Sequence, residues 1–450
     1  MITVHVHQNK QVKPIKPMHA AGQPPYGGGF LKFDFSYIKH LQNAKIPYSR
    51  LHDVGGAFGA NRFVDIPNIF RNFEADVTDP ASYDFAFTDA LIAGMYQYNV
   101  RPIFRLGVTI ENQAHIQALR IHPPRDFHKW ARVCEHIIRH YNEGWADGFH
   151  YGIEYWEIWN EPENGPTPDQ NQMWTGTAEQ FYEMYDVTAK HLKNCFGDSI
   201  KVGGYGACGF YGIYYHPDKY GVCVPQREKD HRYEKDVYRV EFMLGFLKYI
   251  REHRSPIDFF SWHSYSDVDK TLTMDAYLHK TLAEYGYAGL ETHLNEWNNA
   301  HENRLHGSSY ASAAAAAMMV GMQQQGGTYM LCYYDTRLQA STYGGFFAPL
   351  TYEPVSTYYS FVAFGKLYAL GTQAETVIEG AEGEFYALAA TNGDKNALML
   401  VNRTGETQKL QLEGVDMANA QIHKIDGKHL LSMAFDADTI ANDTVLLIEW

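Results

Sequence analysis

Two short stretches hold the residues best suited to chemistry. Trp156-Glu157-Ile158-Trp159-Asn160-Glu161-Pro162 and, far downstream, Thr292-His293-Leu294-Asn295-Glu296-Trp297-Asn298 are apolar or aromatic runs that lead to a carboxylate. Each reads as a buried strand presenting a glutamate, Glu161 or Glu296, at its C-terminal tip. Cleavage of a glycosidic bond needs such a pair: one carboxyl to protonate the departing oxygen, one to attack or stabilise the sugar carbon. Glu161 suits the acid, because Trp156 and Trp159 would shield it and apolar surroundings make a carboxyl hold its proton. Asn160 beside it can donate a hydrogen bond to the hydroxyl next to the reacting carbon. Glu296 suits the nucleophile, which must stay ionised and so needs donors or positive charge nearby. Arg50 and His52 in Ser49-Arg50-Leu51-His52-Asp53, and His263 and Tyr265 in Ser261-Trp262-His263-Ser264-Tyr265, stand at other predicted strand ends and can supply them. Taken singly, each has a plainer reading, Glu161 as a helix cap and the others as ordinary strand-end polar residues. Their common placement at strand C-termini is what argues for a single site.

Only a fold that gathers distant strand ends can unite these residues, and a βα barrel does so at the C-terminal face of its strands. From about residue 14 to 370, short apolar runs alternate with helical patterns, the mark of a parallel sheet with crossover helices. Eight strand cores are predicted: Pro14–Ala20, Ile46–His52, Arg101–Gly107, Glu154–Asn160, Lys201–Tyr205, Phe259–Tyr265, Thr292–Trp297 and Tyr329–Asp335. Pro14 and Pro17 interrupt the first of them. Helices are predicted over Phe85–Tyr98, Ser308–Gln325, which stops at Gly326-Gly327, and Glu353–Leu370. Gly22–Gly29 reads as a loop at the barrel mouth. Tyr211–Asp236, dense in Tyr, His and charge, reads as a lip over a substrate, with a solvated surface insertion as the alternative. After Gly371 the pattern changes to short alternating runs, such as Phe385–Thr391 and Ala397–Val401 around Asn392-Gly393-Asp394-Lys395, which signal hairpins. The predicted fold is therefore an α/β (β/α)8 TIM barrel over residues 11–370 with an all-β sandwich over 371–450. The opening strand in residues 1–10, with Ile2, Val4 and Val6 on one face, is expected to join the sandwich.

Composition narrows the function classes. The 450 residues are 45% hydrophobic and 20% charged, as in a globular protein. A net charge of −14 argues against a nucleic-acid partner, whose phosphates demand a basic face, and none is expected. Aromatic residues, at 15%, suit ring stacking on sugars but mostly fill cores. The cysteines are Cys134, Cys195, Cys208, Cys223 and Cys332, odd in number and without a CxxC pair. Neither a zinc ribbon nor a disulfide framework is expected. His5 and His7 read as surface residues rather than metal ligands. No apolar run has the ~18–20 residues of a membrane span, and the start lacks the pattern of a signal peptide. The expectation is a soluble protein, cytoplasmic or periplasmic, with no membrane partner and with homo-oligomerisation left open.

The residues quoted above make the chain resemble the clan A glycoside hydrolases, and within them most closely glycoside hydrolase family 39, which includes β-xylosidases. The likeness extends over Arg50/His52, Tyr83-Asp84, Arg101–Gly107, Trp156–Pro162, His263-Ser264-Tyr265, Asn295-Glu296-Trp297 and the appended sandwich. The resemblance implies a retaining mechanism on a (β/α)8 barrel, with the acid/base ending strand four and the nucleophile ending strand seven. The strand count places Glu161 and Glu296 there. By the same resemblance Asn160 binds the sugar, Arg50 and Tyr265 hold the nucleophile, and His52 and His263 line the pocket. Strand eight usually offers a Trp platform; here Tyr334, in Met330-Leu331-Cys332-Tyr333-Tyr334-Asp335, would take its place. Trp297 follows the nucleophile where Tyr is more often found, and is expected to touch substrate. The implied activity is retaining exo-hydrolysis of oligosaccharides of plant or microbial origin, β-xylosidase-like, without metal or organic cofactor. An endo-acting polysaccharide hydrolase and a catalytically silent carbohydrate-binding barrel are the alternatives.

Overall fold

The computed structural model describes residues 1–28, 33–54, 64–110, 121–338, 343–434 and 436–450. Eight parallel strands close into a barrel: Ala20–Gly22, Tyr48–Leu51, Arg101–Leu106, Tyr155–Ile158, Lys201–Ala207, Phe259–Ser264, Glu291–Trp297 and Met330–Tyr333. They are called strands one to eight below. Strands two to eight coincide with the predicted cores to within a few residues. Strand one does not. Pro14 instead ends the long N-terminal strand Ile2–Pro14, and the barrel begins only at Ala20. The prolines explain the offset, since neither can donate to a ladder; between them the Lys16 amide donates to Gln323 Oε1 at 2.8 Å instead.

Helices lie where apolar spacing and caps agree. Ala86–Gln97, Ser309–Gln325 and Ser356–Leu370 occupy the predicted spans, with starts shifted by one to three residues. Ser308 caps the second by accepting from the Ala311 amide, and Thr177 with Gln180 forms a capping box on Ala178–Phe196. Among the described residues no helix is long and apolar enough to cross a membrane. The predicted mouth loop is only partly described, because Gly29 lies outside the described residues. Gly22 ends strand one, and Gly27–Gly28 pairs with Phe33–Asp34.

The C-terminal strands form one nine-stranded sheet that the N-terminal strand joins, as expected. That strand pairs antiparallel with Thr372–Glu379 and parallel with Gln408–Glu413. The sheet is continuous rather than two separate layers. Residues from distant strands, Leu410 and Ile440 with Leu398 and Leu446, nevertheless share one apolar cluster, so the sheet closes over its own inner face like a sandwich. Its other face, with Leu388, Met399, Val401 and Leu447, is continuous with the barrel core and packs on helices Ser309–Gln325 and Ser356–Leu370.

Inside the barrel, Ala20, Tyr48, Ile103, Tyr155, Phe259, Met330 and Cys332 form an apolar plug at the N-terminal ends of the strands. Above it the interior turns polar, and that tier carries the site.

Candidate functional site

Arg50 on strand two organises the polar tier. Its guanidinium donates through Nε to Glu157 Oε2 at 2.7 Å, through Nη1 to Glu296 Oε2 at 3.1 Å and through Nη2 to Asn160 Oδ1 at 2.7 Å. Glu157 on strand four is fully buried and also accepts from Ser261 Oγ and Asn295 Nδ2, each at 2.6 Å. Burial would push the Glu157 carboxyl up, but Arg50 and these donors bring it below its usual value. A buried guanidinium with this many acceptors is rigid, and one fork orients both Asn160 and Glu296.

Strand four ends in a sharp bend. Trp159 (φ 69°) and Glu161 (φ 45°) both have left-handed backbone, a strain that side-chain-bearing residues accept only where the surroundings enforce it. The Glu161 amide donates to the Gly206 carbonyl at 3.0 Å. Gly206 (φ 64°) is itself obligatory: a Cβ there would meet Arg50 Nη2 and Asn160 Oδ1, both at 3.0 Å. The bend aims Glu161 into a cavity of about 1160 Å³ at the C-terminal mouth of the barrel.

Glu296 reaches the same cavity because strand seven slips register after Leu294 against both of its neighbours. The slip turns Asn295 and Glu296 inward together and returns Trp297 to the outer face. Glu296 accepts a short hydrogen bond from the Tyr265 hydroxyl besides that from Arg50. His263, wholly buried, lies between the carboxylates, with Nδ1 2.8 Å from Glu161 Oε1 and Nε2 3.6 Å from Glu296 Oε2. An oxygen of Glu161, an oxygen of Glu296 and a His263 nitrogen all lie within 4.8 Å of one another.

The electrostatics follow from this contact. Burial would lower His263, but Glu296 and Glu161 outweigh it and raise the ring above its ordinary value. Burial would raise Glu161; the His263 hydrogen bond and charge, with Arg239 and Asn164, override it and hold the carboxyl below its usual range. Burial leaves Glu296 above the usual carboxylate range against the pull of His263, Arg50 and Tyr265. The expectation that tryptophans raise Glu161 is thus overturned. Trp156 stacks on Phe104 and Trp159 packs on Trp130 and Trp174, so neither ring reaches the cavity.

Of the residues singled out in the sequence, His52, Asn160, Glu161, Tyr265, Glu296 and Tyr334 line the cavity. Arg50 and His263 stand behind the carboxylates rather than on the cavity wall. Trp297 is a correction: it is fully buried against Tyr333 and Phe361, turned away from the site by the slip in strand seven. Strand alternation puts Trp297 on the same side as Asn295, and only the slip separates them.

The sequence reading missed four participants. Glu157 looked like one more residue of an aromatic run. Asp53 accepts from Tyr334 Oη at 2.8 Å and the Ile110 amide at 2.9 Å, and lies 3.3 Å from His52 Nε2. Tyr343 stacks obliquely on Tyr265 with centroids 4.9 Å apart and lines the cavity. Asn164 donates to Glu161 Oε2 at 2.6 Å. For Asp53 the signal was present, directly after His52; Tyr343 and Asn164 lie in loops where spacing is uninformative. The Tyr211–Asp236 stretch forms one wall of the cavity through Tyr211, Arg227, Lys235 and their neighbours, as the lip reading expects.

Two described clusters offer donor sets that a divalent cation fits: Glu161, His263 and Glu296, and on the helical surface Glu135, His191 and Cys195. In the first, His263 Nδ1 already contacts Glu161 Oε1 at 2.8 Å. In the second, Arg139 already binds Glu135 Oε1 at 2.8 Å.

Comparison with known proteins agrees with this architecture. A β-xylosidase of Geobacillus stearothermophilus is 24% identical over 269 residues, covering 57% of this chain; the chain spans 42% of that protein's length. A glucosidase from Croceicoccus marinus superposes with a TM-score of 0.76 at 20% identity, covering 100% of this chain and 98% of the other. A family 39 β-xylosidase from Caulobacter crescentus gives 0.67 at 14% identity, with 99% of each chain covered. The model of glycosyl hydrolases family 39 matches residues 3–340, from the N-terminal strand past strand eight, and the chain belongs to that family.

Proposed function

We propose that the protein is a retaining, exo-acting, β-xylosidase-like glycosidase in which Glu296 is the nucleophile and Glu161 the acid/base. The observation that carries this reading is the approach of the two carboxylates, with oxygens within 4.8 Å. Retaining enzymes hold the pair about 5–5.5 Å apart, whereas inverting enzymes need about 6.5–9.5 Å to fit a water between them. In the first step a Glu296 oxygen bonds to the anomeric carbon as the glycosidic C–O bond breaks and the leaving oxygen takes a proton from Glu161. In the second, Glu161 takes a proton from water, whose oxygen displaces Glu296 and restores it. His263 Nδ1 lies 2.8 Å from Glu161 Oε1, close enough for a protonated ring to pass its proton to the carboxyl as charge builds on the leaving oxygen. Positive charge developing on the sugar favours ionised Glu296, and Arg50 and Tyr265 hold its oxygens in line. Asp53, neutral His52 and Tyr334 supply acceptors and donors for sugar hydroxyls. Burial first, then Arg50 and Arg105, keep His52 well below its ordinary value and hence uncharged.

The test is release of phenol from aryl β-xyloside, α-arabinosides, β-galactoside and β-glucoside by wild type and by Glu296→Ala. Turnover of one sugar, lost in the variant, supports the reading and names the sugar. A folded wild type that releases phenol from none of them refutes exo-hydrolysis.

A further inference from the structure

The cavity is electrically two-ended. Around Glu296 stand Tyr265, Tyr334, Tyr343 and Asp53, with His52 neutral. On the far side of Glu161 the wall carries Arg227, Arg232, Lys235 and Arg239, contributed by the 211–236 stretch and the first turns of helix Tyr233–His253. Asp230, Asp236 and the neighbouring Glu161 are the carboxylates that face these four cations, while Asp269 and Lys270 add one charge of each sign to the wall. Asp230 binds both Arg227 and Arg232, and Asp236 lies 3.1 Å from Arg239 Nη1. Lys235 has no carboxylate within ion-pair distance among the described residues; its Nζ donates only to Asn164 Oδ1, at 3.2 Å. Arg239 Nε is buried and has no partner among the described residues. In a chain of net charge −14, a half-buried pocket wall with surplus positive charge is not a solubility feature.

We infer that this wall is a subsite for a carboxylate on the leaving group, as in a uronic acid, with Lys235 as its main contact and Arg239 and Arg232 supporting it. The inference rests on the glycosidase reading, because the leaving group must lie on the side of the acid/base that faces away from the nucleophile. Asn164 fixes the distance. It bridges Lys235 to Glu161 Oε2, so the ammonium stands one side chain beyond the acid/base carboxyl. That spacing suits a charge carried across the ring attached to the departing oxygen, not a charge on the sugar held against Glu296. Burial first, and Arg239 second, lower the Lys235 ammonium, so a bound carboxylate would relieve the repulsion between the two cations. The alternative is that Lys235 and Arg239 merely bias the charge of Glu161, in which case every substrate feels them equally.

The experiment compares two aryl β-xylosides with closely matched phenols, 4-(carboxymethyl)phenyl and its neutral amide 4-(carbamoylmethyl)phenyl. Wild type is expected to favour the carboxylate about five- to tenfold in kcat/KM at low salt, a preference that shrinks as salt is added. Lys235→Met brings the ratio close to one, Lys235→Glu inverts it, and Lys235→Arg restores most of it. The ratio within each variant cancels any general effect on Glu161 or on folding. Equal rates in wild type, or a preference that survives in Lys235→Met, overturn the subsite and leave the glycosidase reading standing. Turnover of neither compound removes the glycosidic reading for xylosides and the subsite with it.

Discussion

Glu161 and Glu296 differ in what their oxygens touch, and each difference has a measurable consequence. Glu161 meets His263 and Asn164, whereas Glu296 is gripped by Arg50 and Tyr265. If Glu161 is the acid/base, as proposed, Glu161→Ala should lower kcat/KM about 10²–10⁴-fold for leaving groups of high pKa and far less for activated phenols, which leave without a proton. Added azide should then restore turnover by occupying the vacated space and attacking the glycosyl ester. A loss of equal size for all leaving groups would show that Glu161 is not the acid. Two residues further on, Glu163 is buried with Oε2 unpartnered, and burial above all pushes it up to about 7. An unfolded glutamate releases its proton near pH ~4.3. The stability this group contributes is therefore whole below that pH and is lost as pH rises through 7, on the order of 3 kcal/mol by pH 8. Glu163→Gln should flatten the fall in urea-measured stability between pH 5 and 8; unchanged curves would refute the raised carboxyl. Legibility at this scale followed position. Residues at strand tips, such as Arg50, Glu161, His263 and Glu296, could be picked out from spacing. Asn164 and Tyr343 reach the site through loop paths that no periodicity encodes.

At the scale of elements, the pleat of a strand explains both what was foreseen and what was not. Alternation places Arg50 and His52 on one side, and the structure agrees: Arg50 of the second strand points into the barrel, and His52, just past its end, lines the cavity. Strand seven breaks the rule, since the slip after Leu294 spends one extra residue and reverses the facing of everything beyond it. Without that slip Glu296 would face the helices with Leu294, and Trp297 would face the sugar. The one hint of the slip in Thr292–Trp297 is that plain alternation would put Glu296 on the apolar side with Leu294. The same reasoning predicts the behaviour of Trp297. It is packed among Tyr333 and Phe361, and its Nε1 has no partner among the described residues. Trp297→Phe should therefore cost about 1–3 kcal/mol of stability through lost packing, with KM for the preferred aryl glycoside changed less than twofold. A KM raised tenfold in a variant of unchanged stability would return Trp297 to the pocket.

At the scale of the molecule, the sequence shows a barrel followed by a β-rich segment but not how firmly the two are joined. The change of pattern after Gly371 marks a boundary in the chain, and a boundary of that kind suggests two bodies with separate cores. The packing argues otherwise. Leu388, Met399, Val401 and Leu447 of the sheet belong to the same apolar core as the barrel helices, and the N-terminal strand is held inside the sheet before the chain enters strand one. Gln323 of helix Ser309–Gln325 adds a polar tie, donating to Pro14 O at 3.1 Å and to Gln373 Oε1 at 2.8 Å. Helix Ser309–Gln325 also leads into strand eight, which carries Tyr334 to the cavity, so loosening the sheet should be felt at the site. Leu447→Ala, wholly within this shared core, should cost about 2–5 kcal/mol. Because the core is common, the loss should appear as one cooperative transition in which far-ultraviolet dichroism, tryptophan fluorescence and residual activity fall together at a lower denaturant midpoint. If activity and tryptophan fluorescence kept the wild-type midpoint while only the β signal moved, the sheet would be an independent domain that merely rests against the barrel.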